Sequence, residues 1–297
     1  MNPALKKMLW PVLFLRNKHD DYLRRTDPER LFGILYHRVT GDRIHTDSPI
    51  TMYDKIAYML FHTDTTEWSR LADKVAVREY VKNCGYEANL TRLYGVWEHA
   101  DDIDFDNLPF SFVIKTNNAS ATNIIVKDKN LINLNLIRAQ LDKWLKIDYG
   151  FQTCTPHYSR IKPLILAEEL LVDEQQPDGL IDYKFHCTNG VPKFIQVMSE
   201  REPNTHRMKF MTYDMDWHPH PEYNQGILKD ASIMEKPSAF ELMSEMAMKL
   251  SASFPYVRVD FYQISGKPIF GEMTFVPGWT TMSKSIKIKL GQEIVLG

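Results

Sequence analysis

Apolar side chains recur at helical spacing through the first third of the chain. In TMYDKIAYMLFH (51–62) they stand at positions 52, 53, 56, 59 and 60, along one side of a helix. ADKVAVREYVKNCG (72–85) has an acid, Asp73, in its first turn and ends at Gly85, where a left-handed residue would close a helix. DNLP (106–109) breaks this pattern. FSFVIKT (110–116) then reads as a strand, and NIIVK (123–127) follows after a short polar loop. NLNLIRAQLDKWLKI (133–147) returns to the helical period, with Leu134, Ile137, Leu141, Trp144 and Leu145 on one face. PLILAEELL (163–171) is a buried strand running into acids, and IDYKFHCTNGVPKFIQV (181–197) is a hairpin turning at Asn189-Gly190. AFELMSEMAMKLSASF (239–254) reads as a helix with Leu242, Met246, Met248 and Leu250 toward the core. RVDFYQISGKPIFGEMTFVPG (258–278) forms a last hairpin. Helices first, then strands interleaved with two helices, predict an α+β or α/β chain with antiparallel sheet near the C-terminus, of which α+β is the expectation: a mostly helical region over 1–108, then a sheet-rich region over 109–297.

Composition narrows the class. The 297 residues are 44% hydrophobic and 25% charged, enough to bury a sizeable core in a globular chain. A net charge of −2 gives no reason to expect bulk electrostatic attraction to nucleic acid or to an anionic membrane. Cys84, Cys154 and Cys187 are odd in number and lack CxxC spacing, which points to a reducing, cytoplasmic compartment rather than to disulfides or zinc. LWPVLFL (9–15), behind Lys6 and Lys7, is too short to span a bilayer and contains Pro11. It is expected to pack on the core, a weak membrane-surface contact being the other reading.

Two acids sit in the apolar strands of the last hairpin. Residues on a strand alternate between faces, so Arg258, Asp260 and Tyr262 share one face and Glu272 and Thr274 share another. A two-residue turn at Ser265-Gly266 would pair Val259 with Glu272 and separate the acids. A three-residue turn, Ser265-Gly266-Lys267, pairs Asp260 with Glu272, and this register is the one expected. Carboxylates so placed repel unless a cation lies between them, and Mg²⁺ with oxygen ligands would serve, Thr274 adding an oxygen and Arg258 facing an anion. The other reading is a solvated face with Asp260 paired to Arg258 or a lysine. Spacing alone leaves both open.

The hairpin resembles the metal-binding hairpin of ATP-grasp ligases such as D-alanine–D-alanine ligase, with the pattern R-x-D-F … E-x-N-x-x-P-G. A narrower likeness, to the TupA-like ATP-grasp family of teichuronopeptide and surface-polysaccharide synthesis, extends over nearly the whole chain. It runs through LADKVAVREYV, IDFDNLPFSFVIK, NIIVKDK, ILAEELL, DYKFHCTNG and RVDFY…GEMTF. The resemblance implies an ATP-grasp fold in which two β-rich subdomains, 109–171 and 172–297, sandwich ATP. It also implies ATP and Mg²⁺ as cofactors, with Asp260, Glu272 and Thr274 at the metal. Lys74 and Lys115 would reach the phosphates and Ser120 would lie in the loop that covers them. Glu168, Glu169, Leu170 and Leu171 would border adenine, Lys184 would meet phosphate or adenine, and Arg258 with Lys115 would serve catalysis. Without the resemblance, Lys74 reads as a surface helix residue, Glu168 and Glu169 as strand-end charges, and Arg201 as a surface pair or a substrate contact. Two departures stand out: the loop TNNASAT (116–122) has no glycine where backbone must approach phosphate, and Thr274 replaces the usual Asn.

The implied activity is ATP-dependent joining of a carboxylate, a uronic or amino acid, to an amine through an acyl phosphate, in capsule or surface-polysaccharide synthesis. The carboxylate belongs to a small molecule or a glycan. A glycosyltransferase and a nucleotide-binding scaffold without turnover are the alternatives.

Overall fold

The computed structural model describes residues 3–173, 179–199, 209–225 and 233–296, with only the backbone of 3–13. Arg201 lies outside the described residues. Five helices come first: α1 (Pro3–Thr26), α2 (Pro28–Thr40), α3 (Met52–His62), α4 (Thr66–Ala72) and α5 (Val77–Asn83). Local chemistry sets their ends. Asp27 caps α2 by accepting the Arg30 N–H at 3.0 Å, with Pro28 beginning the helix. Thr51 and Asp54 form a reciprocal capping box on α3, and Met52, Tyr53, Ile56, Met59 and Leu60 are all buried, as the spacing predicted.

The stretch 72–85 is not one helix. Asp73 Oδ1 accepts the N–H groups of Val75 and Ala76, a local turn that competes with helix, so α4 stops at Ala72 and α5 starts at Val77. Gly85, at φ +92°, closes α5 as expected. The apolar run 9–15 departs from its expected packing at its described end, where Phe14 and Leu15 are exposed.

The first sheet is antiparallel, in the order β1 (Leu93–Trp97), β4 (Ile165–Glu168), β2 (Phe112–Thr116), β3 (Asn123–Val126). α6 (Leu134–Leu145) sets Ile137 and Leu141 into a core with Phe112, Ile114, Ile165 and Ala167. Two short helices, α7 (Tyr149–Thr153) and α8 (Pro156–Ser159), return the chain to β4.

The second sheet is also antiparallel, in the order β7 (Lys209–Asp214), β6 (Val191–Ser199), β5 (Asp182–Thr188), β8 (Tyr256–Ile264), β9 (Lys267–Thr274). Its faces differ in chemistry. Phe185, Cys187, Ile195, Val197, Val257, Val259 and Phe261 form the apolar face, buried with α9 (Phe240–Ser251). Lys184, His186, Gln196, Thr212, Arg258 and Asp260 hold the other, all of them alternating with the apolar set. On α9 Met246 and Leu250 are buried as predicted, with Phe240, Met243, Ala247 and Ser251; the predicted Leu242 and Met248 are exposed, because the helical period carries the buried stripe through 243, 246, 247 and 250 instead. α10 (Lys284–Glu293) packs on α3, where Gly291 lies so close to Ile50 and Thr51 that a Cβ would meet the Ile50 carbonyl oxygen at 2.1 Å.

Candidate active site

The last hairpin pairs Asp260 with Glu272 by a different device from the one expected. Its turn has two residues, Ser265 at φ +49° and Gly266 at φ +75°, with Ile264 opposite Lys267. A bulge restores the pairing: Phe261 faces Phe270, Asp260 faces Glu272, and Gly271 is the extra residue. A side chain at Gly271 would put its Cβ 3.1 Å from the Asp260 carbonyl oxygen.

Arg258, Asp260, Glu272, Thr274 and Lys184 consequently converge. Arg258 Nε donates to Asp260 Oδ1 at 2.6 Å, and its Nη2 donates to Asp260 Oδ2 at 2.6 Å, Thr274 Oγ1 at 3.0 Å and Glu272 Oε1 at 3.2 Å. Lys184 Nζ adds a bond to Asp260 Oδ2 at 2.6 Å. Burial alone would raise the Asp260 pKa, but Arg258 and Lys184 outweigh it and hold the carboxyl at about 2. Burial opposes the charge on Arg258 as well, and Asp260 more than restores it, pushing that group above its ordinary value. Asp260 is therefore not on a solvated face; it is paired, as one reading had it, but inside the protein, while Glu272 remains partly exposed.

The oxygen atoms decide how well this set fits Mg²⁺. Glu272 is 42% exposed at its side chain; Oε1 accepts from Arg258 and Thr274, while Oε2 has no hydrogen bond among the described residues. Asp260 is 3% exposed, with Oδ2 taken by two cations and Oδ1 by one N–H. Glu272 thus fits as an open oxygen ligand, and Asp260 Oδ1 retains one lone pair beside it. A separate group, Asp214, Asp216 and His218, clusters near the surface, where Asp214 Oδ1 already accepts the N–H groups of Asp216 and His218.

The other residues lie across from this cluster. Lys74 leaves the Asp73 turn, and its Nζ donates to the Ala119 carbonyl at 2.7 Å. Desolvation lowers its pKa, Glu272 on the second sheet opposes that, and Lys115 on the first adds to it, so Lys74 stands between the two sheets. It is not a surface helix residue. Lys115 pairs with Glu168, whose Oε2 accepts from Thr91 Oγ1 at 3.0 Å. Glu169 is exposed, with its N–H on the Arg92 carbonyl at 2.9 Å, while the N–H groups of Leu170 and Leu171 have no partner among the described residues.

The loop 116–122 makes up for its lack of glycine. Asn117 pins its base, donating from Nδ2 to Asp73 Oδ1 at 2.9 Å and accepting the Leu164 N–H at 2.7 Å. Thr116 and Thr122 hydrogen-bond through their hydroxyls at 2.7 Å. Ala121 adopts the left-handed conformation at φ +59° that glycine would take more readily. The backbone N–H groups of Asn118, Ala119, Ser120 and Ala121 have no partner among the described residues, which leaves a run of donors free.

Some residues near the cluster gave no signal in sequence. Tyr158 is half-buried within electrostatic reach of Glu272, Arg258 and Asp260, and Tyr149 lies within reach of Glu272 and beside Ser120. Arg78 braces Thr91, donating to its hydroxyl at 3.2 Å and also to its carbonyl. Both tyrosines lie in short helices with no periodicity to mark them.

The model of the TupA-like ATP-grasp family matches residues 54–295. The chain belongs to that family. No match was found among the curated proteins. Among solved structures it is similar to D-alanine–D-alanine ligase from Bacillus anthracis, at 15% identity over 76% of this chain and 67% of that one, with a TM-score of 0.45. The same enzyme complexed with ATP gives 16% identity, 76% and 65% coverage and a TM-score of 0.47. Phosphoribosylamine–glycine ligase from Thermotoga maritima gives 12% identity, 69% and 48% coverage and a TM-score of 0.43. The chain spans about two thirds of the first two structures and about half of the third.

Proposed function

We propose that this protein is an ATP-dependent ligase that joins a carboxylate to an amine in the cytoplasmic synthesis of a capsule or other surface polysaccharide. The observation that carries the reading is the convergence of Arg258, Lys184, Asp260, Glu272 and Thr274 on one sheet face, with Lys74 between that face and Lys115. In this reading Lys74, Lys115 and the free N–H groups of 118–121 hold the triphosphate, and Leu170 and Leu171 meet the base. Phosphoryl transfer needs alignment and positive charge more than covalent help. Arg258, fixed by Asp260, supplies charge where the transferred phosphoryl group sits, and Glu272 with Asp260 Oδ1 would hold Mg²⁺. When bound, that ion offsets charge on the phosphate oxygens. The substrate carboxylate oxygen attacks the γ-phosphorus and ADP leaves; the amine then attacks the acyl carbon, loses a proton and displaces phosphate.

The protein is to be incubated with ATP, Mg²⁺, glucuronate and a panel of amines, with nucleotides and product mass followed. The expected result is amine-dependent release of ADP and phosphate with one amide product. Glu272→Gln is expected to lower that release at least about 100-fold while leaving the circular dichroism spectrum unchanged. Full activity in this variant contradicts the site. A sugar-nucleotide product with ATP untouched contradicts the ligase reading.

A further inference from the structure

α1 carries more than the fold uses. Residues Phe14 to His19 are exposed one after another, over more than a full turn of the helix. Large apolar side chains are among them: Phe14 is 45% and Leu15 68% exposed, and Tyr22, about two turns further on, is 64% exposed. The helix is anchored towards its other end, where Leu23 is buried and Arg38 of α2 grips Asp20 with bonds of 2.5 and 2.9 Å.

Upstream, Leu5, Met8, Leu9, Val12 and Leu13 recur in the sequence at i, i+3, i+4, i+7 and i+8, the period of an amphipathic helix. Charge along this stretch has one sign: Lys6, Lys7, Arg16 and Lys18 all precede the first acid, Asp20. Among the described residues no helix is long and apolar enough to cross a membrane. α1 and α2 also lie ahead of residue 54, where the family match begins.

We propose that α1 docks the protein on an anionic phospholipid surface, lying in the plane of the interface. Apolar residues together with cations of a single sign suit that occupant: leucines and aromatics enter the acyl boundary while lysine and arginine meet the headgroups. A second copy of the same helix lying parallel to it suits it less, because that pairing would set Lys6, Lys7, Arg16 and Lys18 against the same four cations, with no acid ahead of Asp20.

The test is sedimentation of the full chain with vesicles of phosphatidylcholine, alone or with phosphatidylglycerol as roughly a third of the lipid. Binding is expected to the anionic vesicles, to be nearly absent from the neutral ones, and to fall at high salt. Each basic residue near the surface is worth roughly fivefold in partitioning, so Arg16→Gln with Lys18→Gln is expected to weaken binding roughly 25-fold. Leu15→Gln is expected to weaken it at unchanged charge. All three positions are exposed, so circular dichroism and ATP turnover are expected to match wild type. Equal binding to both vesicles, no binding to the anionic ones, or a dimer in light scattering that Leu15→Gln dissolves would overturn the proposal.

Discussion

Arg258 meets Asp260 with two nitrogens and Lys184 meets it with one, all at 2.6 Å, so the buried carboxylate depends mainly on the guanidinium fork. Removing the fork strands an ion inside the sheet face. Arg258→Met is expected to cost about 3–5 kcal/mol in urea unfolding. Lys184→Met is expected to cost less, about 1.5–3 kcal/mol, because the fork remains. Arg258→Lys restores charge without the planar pair and is expected to recover only part of the loss. Equal losses for Arg258→Met and Lys184→Met would contradict this division. Alternation along two strands was enough to group Arg258 with Asp260 and Glu272 with Thr274. The partnership of Lys184 with Asp260 was not legible, because it depends on which strand lies beside β8, and that neighbour comes from 76 residues away in the chain.

Elements with a strong period were read correctly, and those shaped by single side chains were not. The α3 stripe and the Asn189-Gly190 turn follow from spacing and turn chemistry. α5 starts late because the Asp73 side chain captures two backbone N–H groups, a contact invisible to periodicity. That same turn aims Lys74 at the loop, so the misplaced helix start and the surface position that Lys74 takes in a reading of its helix alone have one cause. In the last hairpin the paired acids were expected from a longer turn; the structure keeps the short turn and inserts Gly271 instead. Either device shifts register by one residue, and sequence offers no means to choose between them. β1 went unread because LYGVW is short and only partly buried at the sheet's edge.

Across the whole molecule, two buried imidazoles tie stability to pH. His186 lies under the polar face and His157 among Trp68, Tyr158 and Phe275; burial, with help from Arg258 and Arg160 respectively, pushes each pKa down to about 3. The unfolded chain, with histidines near 6.5, binds more protons over that interval. Stability from the neutral rings is therefore complete above about pH 6.5 and is lost as pH falls toward 3, at roughly 1.4 kcal/mol per pH unit for each. Asp260 acts in the same direction only at lower pH, between its ordinary 3.8 and about 2. Urea midpoints are expected to hold nearly level from pH 7.5 to about 6.5 and then to fall steadily down to about pH 4.5. His157→Phe, which removes a ring with no hydrogen-bond partner among the described residues, is expected to remove about half of the histidine-linked slope. An unchanged slope in that variant would contradict the assignment.

The central claim is that the two sheets bring ATP and a carboxylate together for phosphoryl transfer. Its most direct test is the fate of oxygen from glucuronate labelled with ¹⁸O in the carboxylate, incubated with ATP, Mg²⁺ and the amine panel. An acyl phosphate intermediate moves one labelled oxygen into each phosphate released, and Glu272→Gln is expected to suppress that phosphate. Phosphate released without label, its oxygen coming from water, would contradict the account.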